Sequence, residues 1–139
     1  MTLYVLDTDT SSYIIRQRPR EVLERMQKNS AQGHIMTISA ITYAELLLGA
    51  ERSSARVKHL KLIEAFVERL DTVLPWDANA AENYAKTQAA LLKNGAPIGT
   101  NDTMIAGHVL SVDGVVVTNN VKHFKKVAKL KVENWTLLS

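Results

Sequence analysis

The chain contains no cysteine. That excludes a disulfide scaffold, a thiolate-ligated zinc or iron–sulfur centre and a thiol nucleophile, and it permits a reducing, cytoplasmic setting. Proline and glycine are sparse, at 3 and 6 residues, and no low-complexity tract, linker or internal repeat interrupts the sequence. No apolar run approaches the ~20 residues needed to span a bilayer, so no membrane segment is expected. The opening Met1-Thr2-Leu3-Tyr4-Val5-Leu6-Asp7 has no basic stretch and meets an acid too early for a signal peptide. What remains is an ordinary globular composition, 46% hydrophobic in 139 residues, which suits a single domain over 1–139.

Charge is mildly basic: 17 Lys and Arg against 14 Asp and Glu give +3. The excess is grouped. Arg16, Arg18, Arg20, Arg25 and Lys28 form one group; Arg52, Arg56, Lys58, His59 and Lys61 form a second. The third is Lys122, His123, Lys125, Lys126, Lys129 and Lys131. Each group alone reads as a solvated helix surface. Set around one acidic site, the three would be an electrostatic footprint for a polyanion.

The hydrophobic pattern alternates short buried strands with helices. Strands are expected at 3–6, 35–38, 72–74, 115–118 and 131–135, and helices at 8–16, from Pro19 onward, 41–50, 54–70, 77–93 and from Asn101. Ser39 and Asp77 are in place to cap helices, and Gly95 to end one. Such alternation predicts an α/β sandwich of three layers, with a central, mostly parallel sheet and helices on both faces.

Three acids stand out by their neighbours. Asp7 closes a buried strand, Glu45 interrupts the apolar segment Ile41–Ala50, and Asp102 opens a helix after a Gly-rich loop. Asp7 could begin an Asx-turn and Asp102 could stabilise a helix N-terminus. Glu45 has no Lys or Arg at helical spacing; if buried it must be paired, protonated or metal-bound. In an open α/β sheet ligands sit outside the carboxyl ends of the strands. Asp7 and the Thr118-Asn119-Asn120 group close strands there, and Glu45 and Asp102 lie one to two turns into helices near such ends. Crowded carboxylates without cysteine or a histidine cluster point to Mg²⁺ or Mn²⁺. Carboxylate-held cations in a basic surround suggest phosphodiester hydrolysis, one ion activating water and a second stabilising the leaving oxygen.

Four segments in order then carry a resemblance: Tyr4-Val5-Leu6-Asp7-Thr8-Asp9-Thr10; Ile41 to Ala50; Pro97-Ile98-Gly99-Thr100-Asn101-Asp102 on to His108; and Val115-Val116-Val117-Thr118-Asn119-Asn120 on to Phe124. Together they resemble the PIN-domain ribonucleases, specifically the VapC-type toxins of bacterial toxin–antitoxin pairs. The resemblance implies that Asp7, Glu45 and Asp102 are the catalytic, metal-binding acids. Thr118, Asn119 and Asn120 would support the site, with Asp9 near enough to orient a ligand or water. It implies a Mg²⁺- or Mn²⁺-dependent endoribonuclease acting on structured RNA, with tRNA, and the initiator tRNA anticodon stem-loop, as the expected substrate. It further implies a VapB-type antitoxin partner, operator DNA bound only through that partner, a homodimer and a cytoplasmic location. Relatives often carry a fourth acid two or five residues after the Thr; here those positions hold Asn120 and His123, which puts a second metal in doubt. Arg16, Arg18, Arg20, Lys122 and Lys125 are the expected RNA-binding residues, and His108 has a structural or tRNA-contacting role.

Three other readings compete. Asp7-Thr8-Asp9-Thr10 also fits the D-x-D-x-T start of haloacid-dehalogenase-like phosphatases, but Glu133 is the only acid after Thr118 and Glu45 is left unexplained. A response-regulator receiver needs an acceptor Asp near mid-chain, and none is suitably placed. A PIN-like module that binds RNA or protein without cleaving is the remaining alternative.

Overall fold

The computed structural model of the protein describes residues 1–136; the domain expected over 1–139 therefore includes three residues, 137–139, that lie outside the described residues. Twelve elements follow one another among the described residues: β1 (Leu3–Leu6), α1 (Thr8–Arg16), α2 (Arg20–Ala31), β2 (Ile35–Ser39), α3 (Ala40–Glu51), α4 (Arg56–Glu68), β3 (Thr72–Leu74), α5 (Ala78–Lys93), α6 (Thr100–Ser111), β4 (Val115–Val117), α7 (Val121–Phe124) and β5 (Lys131–Glu133). The sheet order is β3-β2-β1-β4-β5 and all four pairings are parallel.

Why the chain layers this way is visible in the strands. Side chains alternate across a strand. Tyr4 and Leu6 of β1 face one core with Met36, Ile38, Val115 and Val117, joined by Ile14, Val22, Met26, Leu46, Ile63 and Phe66 from α1 to α4. Val5 and Val116 face the other, with Leu91, Ile105, Ala106, Val109 and Phe124 from α5, α6 and α7. Because both faces are covered, the central strands are apolar on both sides, which explains the unbroken Val115-Val116-Val117 run.

Local signals set the helix ends. Asp7, Ser39 and Asp77 each cap the following helix, their side chains accepting from Thr10 N, Ile41 N and Ala80 N. Gly95 follows α5 at φ +66°, a left-handed turn that glycine adopts without a Cβ penalty. The helix expected over 54–70 is shorter, Arg56–Glu68, and Pro19 lies one residue before α2, in its N-cap position. Among the described residues no helix is long and apolar enough to cross a membrane.

Strand order reverses between β1 and β4: β2 and β3 extend the sheet to one side, β4 and β5 to the other. The chains leaving β1 and β4 diverge at that point and open a crevice beyond their carboxyl ends. Asp7 and Thr118 are the first residues of the chain beyond those two strands.

Candidate active site

Asp7 is buried, 4% exposed, and its position is fixed from three directions. Its N–H donates to Val117 O at 3.0 Å, which ties the end of β1 to β4. Its Oδ1 accepts from Thr10 N at 2.8 Å, and the Thr118 hydroxyl also hydrogen-bonds the carboxyl. Thr10 Oγ1 in turn donates to Val117 O at 3.1 Å, and Thr118 Oγ1 accepts from Asn120 N at 2.9 Å. The two strand ends are thus laced together by one carboxyl and two threonines.

Glu45 arrives from the second turn of α3 and Asp102 from the first turn of α6. The sequence suggests a buried Glu45; the structure corrects this. Glu45 is half-buried, because the outer face of α3 leaves the core and exposes Ala44, Leu48 and Gly49. Both its oxygens have neutral donors: Thr8 Oγ1 at 2.6 Å on Oε1 and Asn101 Nδ2 at 3.1 Å on Oε2. Those two bonds link α3 to the starts of α1 and α6. Asp102 is also half-buried, with Oδ2 4.0 Å from Nδ1 of His123.

The acids act on one another in neighbouring pairs, Asp9 on Asp7 and Asp102, and Glu45 on Asp102. Burial pushes the Asp7 carboxyl up to about 6, against which its hydrogen bonds from Thr118 and Thr10 act, while the Asp9 charge adds to the rise. Asp102 is raised by burial, then by the charge of Glu45; His123 opposes this and Asp9 reinforces it. Among the described residues no Lys or Arg ion-pairs with Asp7, Asp9, Glu45 or Asp102. Four acids with hydroxyl, amide and imidazole neighbours form a negative pocket of hard oxygen donors, and that donor chemistry fits a divalent cation such as Mg²⁺ or Mn²⁺. No three His, Asp or Glu side chains among the described residues close around one point. Thr8 and Asn101 hold Glu45 back, so the side chains present suit a site in which protein supplies a few carboxylates and the substrate supplies further oxygens.

Comparison with known proteins identifies the family. Residues 4–130 match the PIN domain family. The chain is 39% identical over 135 residues to the tRNA(fMet)-specific endonuclease VapC of Salmonella typhimurium, covering 97% of this chain and 99% of that protein. The chain belongs to the PIN domain family, among its VapC ribonucleases. Of solved structures, the DNA-bound VapBC of Salmonella typhimurium superposes with a TM-score of 0.90 at 39% identity, covering 98% of this chain and 100% of that one. VapBC2 of Rickettsia felis bound to a promoter DNA fragment gives 0.91 at 30% identity, covering 97% of this chain and 100% of that one. With the PIN fold established, the phosphatase and receiver readings fall away.

Around the acids, this PIN domain places the remaining expected residues unevenly. Asp9 is exposed in the first turn of α1, yet its charge reaches both Asp7 and Asp102. Asn120 sits at the site through His123, with Nδ2 2.8 Å from the ring Nδ1. Asn119 turns away: its amide donates to the Tyr13 hydroxyl at 3.3 Å and accepts from Thr136 at 3.4 Å. Arg16 and Arg18 line a surface hollow with Tyr13 and Asn119, and Lys122 and Lys125 line the next one with Asn119 and Asn120. Arg16 also lies over the Tyr13 ring, 5.4 Å from its centroid. The four cations therefore line a strip of two hollows that share Asn119. Arg20 is exposed and ion-pairs with Glu24 at 3.4 Å.

Two contributors are not singled out from sequence as site residues, Thr8 and Asn101, which hold Glu45; His123, which faces Asp102, stands where relatives carry a fourth acid. Thr8 is adjacent to Asp7 and Asn101 to Asp102, and that adjacency was the available signal. His108 is fully enclosed and has a structural role, its Nδ1 2.8 Å from Ser39 Oγ and its ring also bonded to the Pro75 backbone. Ser39 accepts from Ile41 N at the same time. The His108–Ser39 contact thereby braces α6 against the start of α3, the two helices that carry Asp102 and Glu45.

Proposed function

We propose that this VapC-family chain is a divalent-cation-dependent endoribonuclease toxin that cuts structured RNA, tRNA and within it the initiator tRNA, and is restrained by a VapB-type antitoxin. The observation that supports the reading is Asp7 buried at the β1/β4 reversal with Asp9 acting on both Asp7 and Asp102 and Glu45 acting on Asp102, without a cationic Lys or Arg paired to these acids among the described residues. The relatives' names as tRNA(fMet)-specific endonucleases support the substrate, and the VapBC complexes among the solved neighbours support the partner. Operator DNA is reached through the antitoxin in this reading, and the location is the cytoplasm. The exposed Leu48, Val57 and Leu62 on α3 and α4 are the apolar surface available for a homodimer.

Asp7, Glu45 and Asp102 would hold the cation, Mg²⁺ or Mn²⁺. When bound, the cation supplies Lewis-acid activation of water and charge neutralisation at the scissile phosphate. The chain's own residues do the rest. Thr10 and Thr118 fix the Asp7 carboxyl; Thr8 and Asn101 fix Glu45; the His108–Ser39 brace sets the two helices. The strip of Arg16, Arg18, Lys122 and Lys125 would take the RNA backbone, so recognition rests on shape and phosphate contact rather than on groove reading.

Asp102→Asn and Glu45→Gln keep size and hydrogen bonding while removing charge. Each is expected to lower single-turnover tRNA cleavage by roughly 10²-fold or more, since each removes charge stabilisation in the reaction, and EDTA to abolish wild-type cleavage. Full cleavage in EDTA would refute the cation-dependent reading. In the slow-cleaving Asp102→Asn background with EDTA present, Arg18→Glu with Lys122→Glu should weaken RNA binding and flatten the dependence of log Kd on log salt by about one per lost phosphate contact. An unaltered slope would remove those residues from the RNA path.

A further inference from the structure

A groove of about 550 Å³ opens between α5, the last turn of α6 and the segment that joins α7 to β5. Lys86 of α5 and Lys126 and Lys129 of that segment line it. All three are exposed, and no carboxylate pairs with any of them among the described residues. The one acid in its lining, Asp113, is engaged by Lys131 at 3.5 Å. The floor is well packed: Leu91 and Val127 are buried, and Thr87, 8% exposed, adds a hydroxyl. Lys129 is held at φ +67°, a left-handed conformation that glycine takes more cheaply than any residue with a Cβ. A lysine kept at such a position points to a use for its charge.

The groove is separate from the acids. Its α6 edge, Leu110, follows Asp102 by eight residues, about 12 Å along the helix at 1.5 Å per residue. It shares no lining residue with the hollow of Asn120, Lys122 and Lys125. Lys125 and Lys126 are neighbours in the chain, yet one lines each hollow. The α7 segment is therefore a ridge with lysines on both flanks. Two cationic tracks beside one ridge suit two backbones rather than one. Ammonium groups bind phosphate as point charges and read no sequence. We propose that the groove of Lys86, Lys126 and Lys129 binds phosphates on one strand of a double-helical RNA stem, while the other strand leads past Lys122 and Lys125 toward the acids. Lysines without a carboxylate partner gain most from a polyanion, since the RNA releases its own counterions on contact. A paired stem occupies both tracks at once; a single strand fills one. The proposal rests on the endoribonuclease reading above and names the form of RNA that the protein holds.

The test is binding by fluorescence anisotropy in EDTA with three probes. They are the initiator tRNA anticodon stem-loop, an RNA single strand of equal length that cannot pair, and a DNA duplex of the stem sequence. The proteins are the full chain as wild type, as Lys129→Gly, and as the triple variant Lys86→Gln, Lys126→Gln and Lys129→Gln, each checked by thermal melting. At roughly 0.1 M salt the triple variant should bind the stem-loop about tenfold or more weaker, with a salt slope lower by about 0.9 per lost phosphate contact, and bind the single strand within about threefold of wild type. Lys129→Gly frees the left-handed position of its Cβ, so it should melt at or above wild type and still bind the stem-loop more weakly, a combination that a purely structural lysine would not give. Unchanged stem-loop affinity and slope in the triple variant would overturn the groove. An equal loss on the single strand would overturn the stem, and a loss confined to the DNA duplex would overturn RNA as the occupant. Cleavage is read separately: a wild type that binds the stem-loop through the groove and cuts no RNA in Mn²⁺ would overturn the endoribonuclease reading and leave the groove standing.

Discussion

Asp7→Asn is expected to disable RNA cleavage and stabilise the protein at the same time. The buried carboxyl receives Thr10 N–H and the Thr118 hydroxyl, yet desolvation outweighs both and pushes it up to about 6 from 3.8. A folded-state value above the unfolded one means that the native protein binds more protons than the unfolded chain between about pH 4 and 6. Stability must therefore fall as pH rises through that window. At pH 8 the ionised Asp7 costs about 2–3 kcal/mol, at 1.36 kcal/mol per unit. Asparagine keeps the acceptor that caps α1 and carries no charge. In EDTA at pH 8 the variant should melt roughly 5–10 °C above wild type, and the two should converge near pH 4. Adding a divalent cation should raise the wild-type Tm and leave the variant's unmoved, since ligand binding stabilises only the form that holds it. A variant less stable than wild type at pH 8 would show that the carboxylate is structural rather than strained.

That Asp7 is a buried residue at a strand end could be read directly, because an apolar Leu3–Leu6 run stops on it and helix caps follow. The same local logic locates Ser39, Asp77 and Gly95. Contacts between distant segments were not legible. Glu45 lies in a stretch so uniformly apolar that its periodicity does not say which side faces the core, and α3 exposes Leu48 at 57% beside it. Its partners Thr8 and Asn101 lie 37 and 56 residues away. Asn119 and Asn120 are neighbours with the same side chain, yet only Asn120 joins the site, through His123, since the turn after β4 sends Asn119 toward Tyr13. Among the basic residues, the Arg20–Glu24 pairing follows from their spacing of four, whereas the placing of Arg18 and Lys122 in two hollows that share Asn119 required the fold.

Gly107 shows how a residue with no chemistry of its own can govern the site. It lies in the middle of α6, where glycine is unfavourable by about 1 kcal/mol relative to alanine. A Cβ at that position would stand 2.5 Å from Tyr84 N, 2.6 Å from Tyr84 Cα and 3.1 Å from Asn83 C. These are backbone atoms of α5 and cannot rotate aside, so a methyl group must drive the helices apart. α6 has little freedom to comply: His108 is fastened to Ser39, and Met104 O accepts from Trp76 Nε1 at 3.1 Å. Gly107→Ala should therefore lose about 3 kcal/mol or more, the upper range for overpacking a tight core. Cleavage by the folded fraction should fall on the order of 10²-fold, because Asp102 moves with α6 and ångström displacements cost that much. Gly49→Ala is the matched control. It too is helical, in α3, and a Cβ there meets nothing within 4 Å. Relief of the glycine penalty should then dominate, with a gain of about 0.5–1 kcal/mol. Chemical denaturation of the two variants beside wild type decides the matter. Opposite signs follow if close α5–α6 packing sets the position of Asp102, and equal signs would mean that the helices can separate without harm.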